Sequence, residues 1–199
     1  PSQHKNSLHI NQVEMKELTI GIDIGGTNTK YGIVDRAGQV VYQGSIKTTQ
    51  FEEFRDYFKG LSLALREGIS HLKGEHKILG IGVGAANGNY YKGTIERATN
   101  LPWKGIIPLA DMFKDEFDLP AIVTNDANAA AVGEMVYGAA KGMKDFVVIT
   151  LGTGFGTGIF INNDLYAGRL SCAGEFCGIP YLDQTIEDYC SGKLFLRQV

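Results

Sequence analysis

Two stretches of the chain share one plan: ELTIGIDIGGTNTKYGIVD at residues 17–35 and DFVVITLGTGFGTGIFI at residues 145–161. Each is a β-branched run, a turn made of glycine and threonine, and a second β-branched run, the pattern of a β-hairpin. The repeat, hairpins over 18–35 and 146–161, is the organising feature of the sequence. Each unit opens antiparallel and places a turn almost bare of side chains at its tip.

The residues between and around the repeats complete an α/β pattern. Strands are expected at 18–24, 30–35 and 39–47, with turns at GGTN and RAG. Thr49 and Glu52 have the spacing of a capping box, and Phe54, Tyr57, Phe58, Leu61, Leu65, Ile69 and Leu72 then recur at helical intervals, despite Gly60 and Gly68. KILGIGVG, 77–84, reads as a buried strand. A strand after a helix implies a parallel crossover onto the same sheet, so the sheet is expected to be mixed. Leu109 to Asp118 is a short helix stopped by Pro120, and 121–124 is a strand feeding the alanine-rich ANAAAVGEMVYGAA, whose small residues permit close helix packing. Asn162, Asn163 and Asp164 then form a hairpin turn.

At 199 residues and 44% hydrophobic, the chain can build one domain and part of a second. The expected division is a tail at 1–17, a first domain at 18–124 and the start of a larger one at 125–199, too short to finish a second sheet. A net charge of −3 with both signs interspersed argues against a nucleic-acid or anionic-lipid partner. The three cysteines, Cys172, Cys177 and Cys190, form no C-x-x-C pair and suggest neither a disulfide framework nor a zinc ribbon, which points to the reducing cytoplasm. The polar start lacks a signal-like apolar segment, and nowhere do roughly 18 apolar residues run together.

The bare turns suggest anion binding. In DIGGTNTK, Gly25 and Gly26 let backbone N–H groups approach a phosphate, Thr27 and Asn28 add donors, and Asp23 at the strand end could hold a magnesium ion or its waters. An ordinary tight hairpin with an aspartate beside it also fits that string. Gly152, Thr153, Gly154 and Gly156 offer a second such turn, and its strand-turn-strand setting excludes a dinucleotide fingerprint. Asn125 and Asp126 follow an apolar strand and precede a helix. Asp126 there is either a helix cap or a general base at the carboxyl edge of the sheet. Asn87 and Asn100, in polar loops, suit sugar hydroxyls as well as plain turns.

Taken in order, GIDIGGTNTKYGIVD, NLPW, TNDANAAAVGE, LGTGFGTGIF, AGEF and IEDYCSG resemble the ROK family of sugar kinases and sugar-responsive repressors, within the actin-like ATPase (ribonuclease H-like) fold. The resemblance implies a glucokinase-like phosphorylation of a hexose 6-hydroxyl by ATP with Mg²⁺, and it admits a homodimer. It makes Asp23 to Lys30 the first phosphate loop, Gly152 to Gly156 the second, and Asp126 the base. Asn100, Asn125, Glu175 and Glu187 then match sugar ligands. Two departures stand out. Cys177-Gly178 occupies the place of the family's Gly-His pair, and DQTI the place of its cysteine cluster, so no zinc is expected and Cys177 and Cys190 are read as small packed thiols. The chain also stops before the segment that finishes the larger domain and holds adenine in the family. The competing readings are a ROK-type sugar-responsive regulator, which needs a DNA-binding segment that the first residues are too short to supply, and a non-catalytic sugar-binding module.

Overall fold

The structure is a computed structural model and describes residues 15–192. Residues 1–14 of the expected tail lie outside the described residues; its last two residues already belong to the first strand.

A five-stranded mixed sheet dominates the first part of the chain. β1 (Lys16–Ile24), β2 (Asn28–Asp35) and β3 (Val40–Lys47) form an antiparallel meander. α1 (Phe54–Ser70) then crosses over and delivers β4 (His76–Ala85) parallel to β1, as the strand-after-helix rule requires. Period-two alternation puts Leu18, Ile20, Ile22 and Ile24 of β1 in the core. The helix answers with Tyr57, Leu61 and Leu65, each fully buried and worth about 1.5–3 kcal/mol.

The two glycines of α1 make room for aromatic rings. A side chain at Gly60 would meet the Phe51 ring at 2.7 Å, and one at Gly68 the Tyr42 ring at 2.7 Å. The expected capping box does not form: a 3₁₀ turn occupies Thr48–Gln50, and Glu53 starts α1 with no side-chain cap. Thr48 is drawn instead into a buried network described below.

Beyond β4 comes a small sheet of β5 (Gly88–Asn89), β6 (Thr94–Glu96) and β7 (Ile106–Ile107). α2 (Leu109–Phe117) buries Leu109 and Phe113 and ends on Asp118 in the left-handed region, φ 54°. Arg66 of α1 clasps its end, donating to the Glu116 carboxylate at 2.8 Å and lying 4.8 Å over the Phe117 ring. β8 (Ala121–Thr124) then adds parallel to β4, giving the order β3-β2-β1-β4-β8.

α3 (Asp126–Tyr137) passes from this sheet to a second one formed by β9 (Phe146–Leu151), β10 (Phe155–Ile161) and β11 (Asp164–Leu165), all antiparallel. Small residues let the helix contact both. A Cβ on Gly84 of β4 would meet Ala129 at 3.2 Å, and one on Gly158 of β10 would meet Ala131 at 2.5 Å. The turn at Asn162 and Asn163 has φ 54° and 67°, the two positive values that a type I′ hairpin needs. A hairpin of β12 (Pro180–Tyr181) and β13 (Gln184–Thr185) leads into α4 (Ile186–Cys190).

Cys190 is exposed and Cys177 only partly covered, so neither is the packed thiol expected from the sequence. The segment that carries them lies at the surface of the described chain, and α4 buries none of its residues. Among the described residues, no helix is long and apolar enough to cross a membrane.

Candidate functional site

The parallel strands β1, β4 and β8 end on one edge, and the site is built there. Asp23 pairs with Lys30 on β2 and with Gly84 on β4, and Gly84 pairs in turn with Thr124 on β8. Side chains in one row share a face of the sheet. Because the middle position is glycine, the head of α3 packs directly over it: a Cβ there would meet the Asp126 Cα at 3.5 Å.

Asn125, not Asp126, caps α3. Its Oδ1 accepts from the N–H groups of Ala127, 2.8 Å, and Asn128, 3.4 Å. Asp126 is the first helical residue, and its Oδ1 also accepts from Ala127 N–H at 2.9 Å. The cap leaves Asn125 its amide Nδ2 for other partners.

A cleft of about 1560 Å³ opens over this edge. Asp23, Gly25, Gly26, Thr27 and Lys30 reach it from the first hairpin. Asn87 and Asn100 reach it from the loops around the small sheet, and Asn125 and Asp126 from the head of α3. The second hairpin contributes Gly152, Thr153, Gly154 and Gly156, and the segment beyond it Glu175 and Glu187. Asn28 is the exception among the expected residues. It is the first residue of β2, pairs with Lys47 and closes the turn by accepting Gly25 N–H at 3.1 Å; it does not line the cleft.

The local geometry explains the glycines. A Cβ on Gly26 would sit 2.5 Å from the Asn100 carbonyl, so the first turn lies directly on that loop. Glu187 crosses to the second turn, where its Oε2 accepts from Phe155 N–H at 3.2 Å. Cys177, at the edge of the same cleft, donates to Glu175 Oε2 at 3.6 Å, and burial together with the Glu175 charge pushes its thiol up.

Burial, then the charge of Asp126, raises the pKa of Asp23, while Lys30 pulls it down. The folded state therefore holds the Asp23 proton more tightly than the unfolded chain does. The stability this supplies is present below the ordinary aspartate range, about pH 4, and lost as pH rises through the raised value. At pH 7 the ionised carboxylate is a cost, which Asp23→Asn removes. The variant is expected to melt higher by on the order of 1–2 °C at pH 7, with the gain vanishing towards pH 3, because solvent screens much of the effect. A thermal melt at both pH values checks the sign.

Sequence reasoning missed the hydroxyls of Thr48 and Tyr57, which support the first turn from below, and read Cys177, which lines the cleft, as a packed thiol. The first pair had no readable signal, since Thr48 touches a residue 23 positions earlier. Among the described residues, no three His, Cys, Asp or Glu side chains gather as a metal centre.

The mixed sheet, the hairpin repeated in a second sheet and the cleft between them define a protein of the actin-like ATPase fold. More narrowly, the chain belongs to the ROK family, whose family model matches residues 19–193. It is 35% identical over 191 residues to a glucokinase of Streptomyces coelicolor, covering 90% of this chain and 58% of that protein. The crystal structure of a ROK family glucokinase from Streptomyces griseus in complex with glucose and AMPPNP superposes with a TM-score of 0.77 at 34% identity, covering 90% of this chain and 59% of that one. A xylose repressor of Caldicellulosiruptor bescii is 33% identical over 162 residues, covering 78% of this chain and 39% of that protein. The chain thus spans less than two thirds of the length of these relatives.

Proposed function

We propose that this chain carries the sugar- and phosphate-binding part of an ATP-dependent hexose kinase that phosphorylates the 6-hydroxyl, with residues 18–124 as one domain and 125–199 as the start of the next. One observation carries the reading: two glycine turns, a carboxylate at a strand end and a second at a helix start all converge on a single cleft. The likeness to the glucokinases supports it.

Phosphoryl transfer needs little covalent help from the protein and depends on positioning and charge neutralisation. Gly25 and Gly152 spend their N–H groups closing the turns, on Asn28 and Gly154, so the backbone N–H groups of Gly26 and Thr27 and of Thr153 and Gly154 would cradle the phosphates, and Lys30 adds a positive charge. Asp23 fits Mg²⁺, which in nucleotide sites takes one or two carboxylates beside phosphate oxygens, and burial of that carboxylate next to Asp126 makes a cation there favourable. The ion would neutralise charge on the phosphates. Asp126 would orient the hexose hydroxyl and take its proton. Asn87, Asn100 and Asn125 offer amides, and Glu175 and Glu187 carboxylates, for the paired hydroxyls of a pyranose.

A coupled ADP-release assay on the full-length protein, run over a panel of hexoses and N-acetylhexosamines, tests the reading. Turnover that depends on one or a few sugars is expected. The likeness to the xylose repressor favours a second reading, a sugar-responsive regulator; sugar binding unaffected by nucleotide, with no ADP released on any sugar, would establish it instead.

A further inference from the structure

Beneath the first glycine turn, three hydroxyls are buried in an otherwise apolar core. Thr29, Thr48 and Tyr57 each have 0% of their surface exposed. They come from β2, the 3₁₀ turn and α1, so nothing local to the turn produces the cluster. Tyr57 Oη lies 2.7 Å from Thr29 Oγ1, Thr29 Oγ1 lies 3.0 Å from Thr48 Oγ1, and Thr48 Oγ1 donates to the Gly25 carbonyl at 2.8 Å. The Thr48 backbone N–H also donates to the Thr27 carbonyl at 2.9 Å.

The direction of the chain is forced. A carbonyl only accepts, so the single proton of Thr48 goes to Gly25 and its oxygen must accept from Thr29. Thr29 has then spent its own proton and must accept from Tyr57. Burial pushes the Tyr57 hydroxyl well above the usual tyrosine range, so it remains a donor. Three hydroxyls therefore act in series, and the last one fixes a carbonyl of the turn.

We propose that Tyr57, Thr29 and Thr48 are positioning residues, which orient the Gly25–Gly26 peptide plane of the first turn so that the Gly26 N–H faces the cleft. In a trans peptide the C=O and the following N–H point to opposite sides. With the Gly25 carbonyl held inward, Gly26 N–H faces outward, and Gly26 lines the cleft. The Thr48 N–H holds the Thr27 carbonyl in the same sense. A turn without side chains has many conformations open to it, so a preset one saves the phosphate the entropy of ordering the loop. The role in catalysis rests on the kinase reading; the bracing itself does not.

Three variants of the full-length protein separate this role from plain stability. Thr48→Val keeps the shape and deletes the last proton. Tyr57→Phe keeps the ring, whose centroid is 4.3 Å from that of Trp103, and deletes the first. Thr48→Ser restores the hydroxyl. Loss of the donor to a buried carbonyl is expected to raise the KM for ATP about tenfold in Thr48→Val and about threefold in Tyr57→Phe, with the hexose KM unchanged and Thr48→Ser close to wild type. Amide hydrogen exchange without ligand should show faster exchange at Gly25 in Thr48→Val and no change at Ile20 in β1. Unchanged exchange at Gly25, or ATP and hexose KM values that rise together, overturns the proposal. A wild-type protein that phosphorylates no sugar defeats the kinase reading, and the exchange at Gly25 then decides on the bracing by itself.

Discussion

Asp126→Ala in the full-length protein is expected to lower hexose phosphorylation by about a thousandfold, while calorimetry finds hexose affinity within about tenfold of wild type. The reasoning starts from the helix. Asn125 supplies the cap of α3, so losing the Asp126 side chain removes one contact to Ala127 N–H and leaves the helix start held. A change in rate would then report on the carboxylate and not on a collapsed site. Asp126→Asn sharpens the test, since an amide can still bind a hydroxyl but cannot take its proton. Turnover retained in either variant would remove Asp126 as the base and leave it as a second acid at a helix start.

The second large effect concerns the packing of α3. Gly158→Val would place a Cβ 2.5 Å from that of Ala131 and 2.7 Å from the Ala127 carbonyl, and neither neighbour has a flexible end that could yield. The helix must move off β10 or the strand must bend. A loss of about 3 kcal/mol or more is expected from denaturant melts, in the range of severe overpacking. Gly133 on the same helix provides the contrast. It is exposed, and an added Cβ there meets nothing within 4 Å, so Gly133→Ala should stabilise by up to about 1 kcal/mol through helix propensity alone. If both variants destabilised alike, the close approach at Gly158 would not be what holds the helix in place.

The fold was largely legible because its signals are local. β-branched alternation placed β1, β2, β4 and β8 within two residues of their observed limits, and the Asn-Asn-Asp turn needed only the known tolerance of asparagine for positive φ. The alanines of α3 announced close packing, and the glycines at 84 and 158 show against what. The misread features all depend on contacts distant in sequence. Thr49 and Glu52 had the spacing of a cap, but Thr48 beside them was claimed by Thr29 and Gly25, and the helix began later without one. Cys190 looked like a core thiol because cysteine usually is one, a statistical inclination that the surface position of α4 overrides. Asn28 belongs to a readable turn, yet which of the turn's residues face the cleft depends on the register with β3, and no single strand encodes that.

The double contact of α3 has a mechanical meaning. A helix whose alanines touch glycines of two different sheets is a tight bearing: it can turn slightly in its seat, but neither sheet can slide past it. If the cleft narrows around its occupants, the swing must be centred close to that rod. Asp126 stands at the rod's end, near the axis, so it travels least while the two glycine turns on the outer arms travel most. On the proposed kinase reading, Asp126 would thus hold still as the turns move.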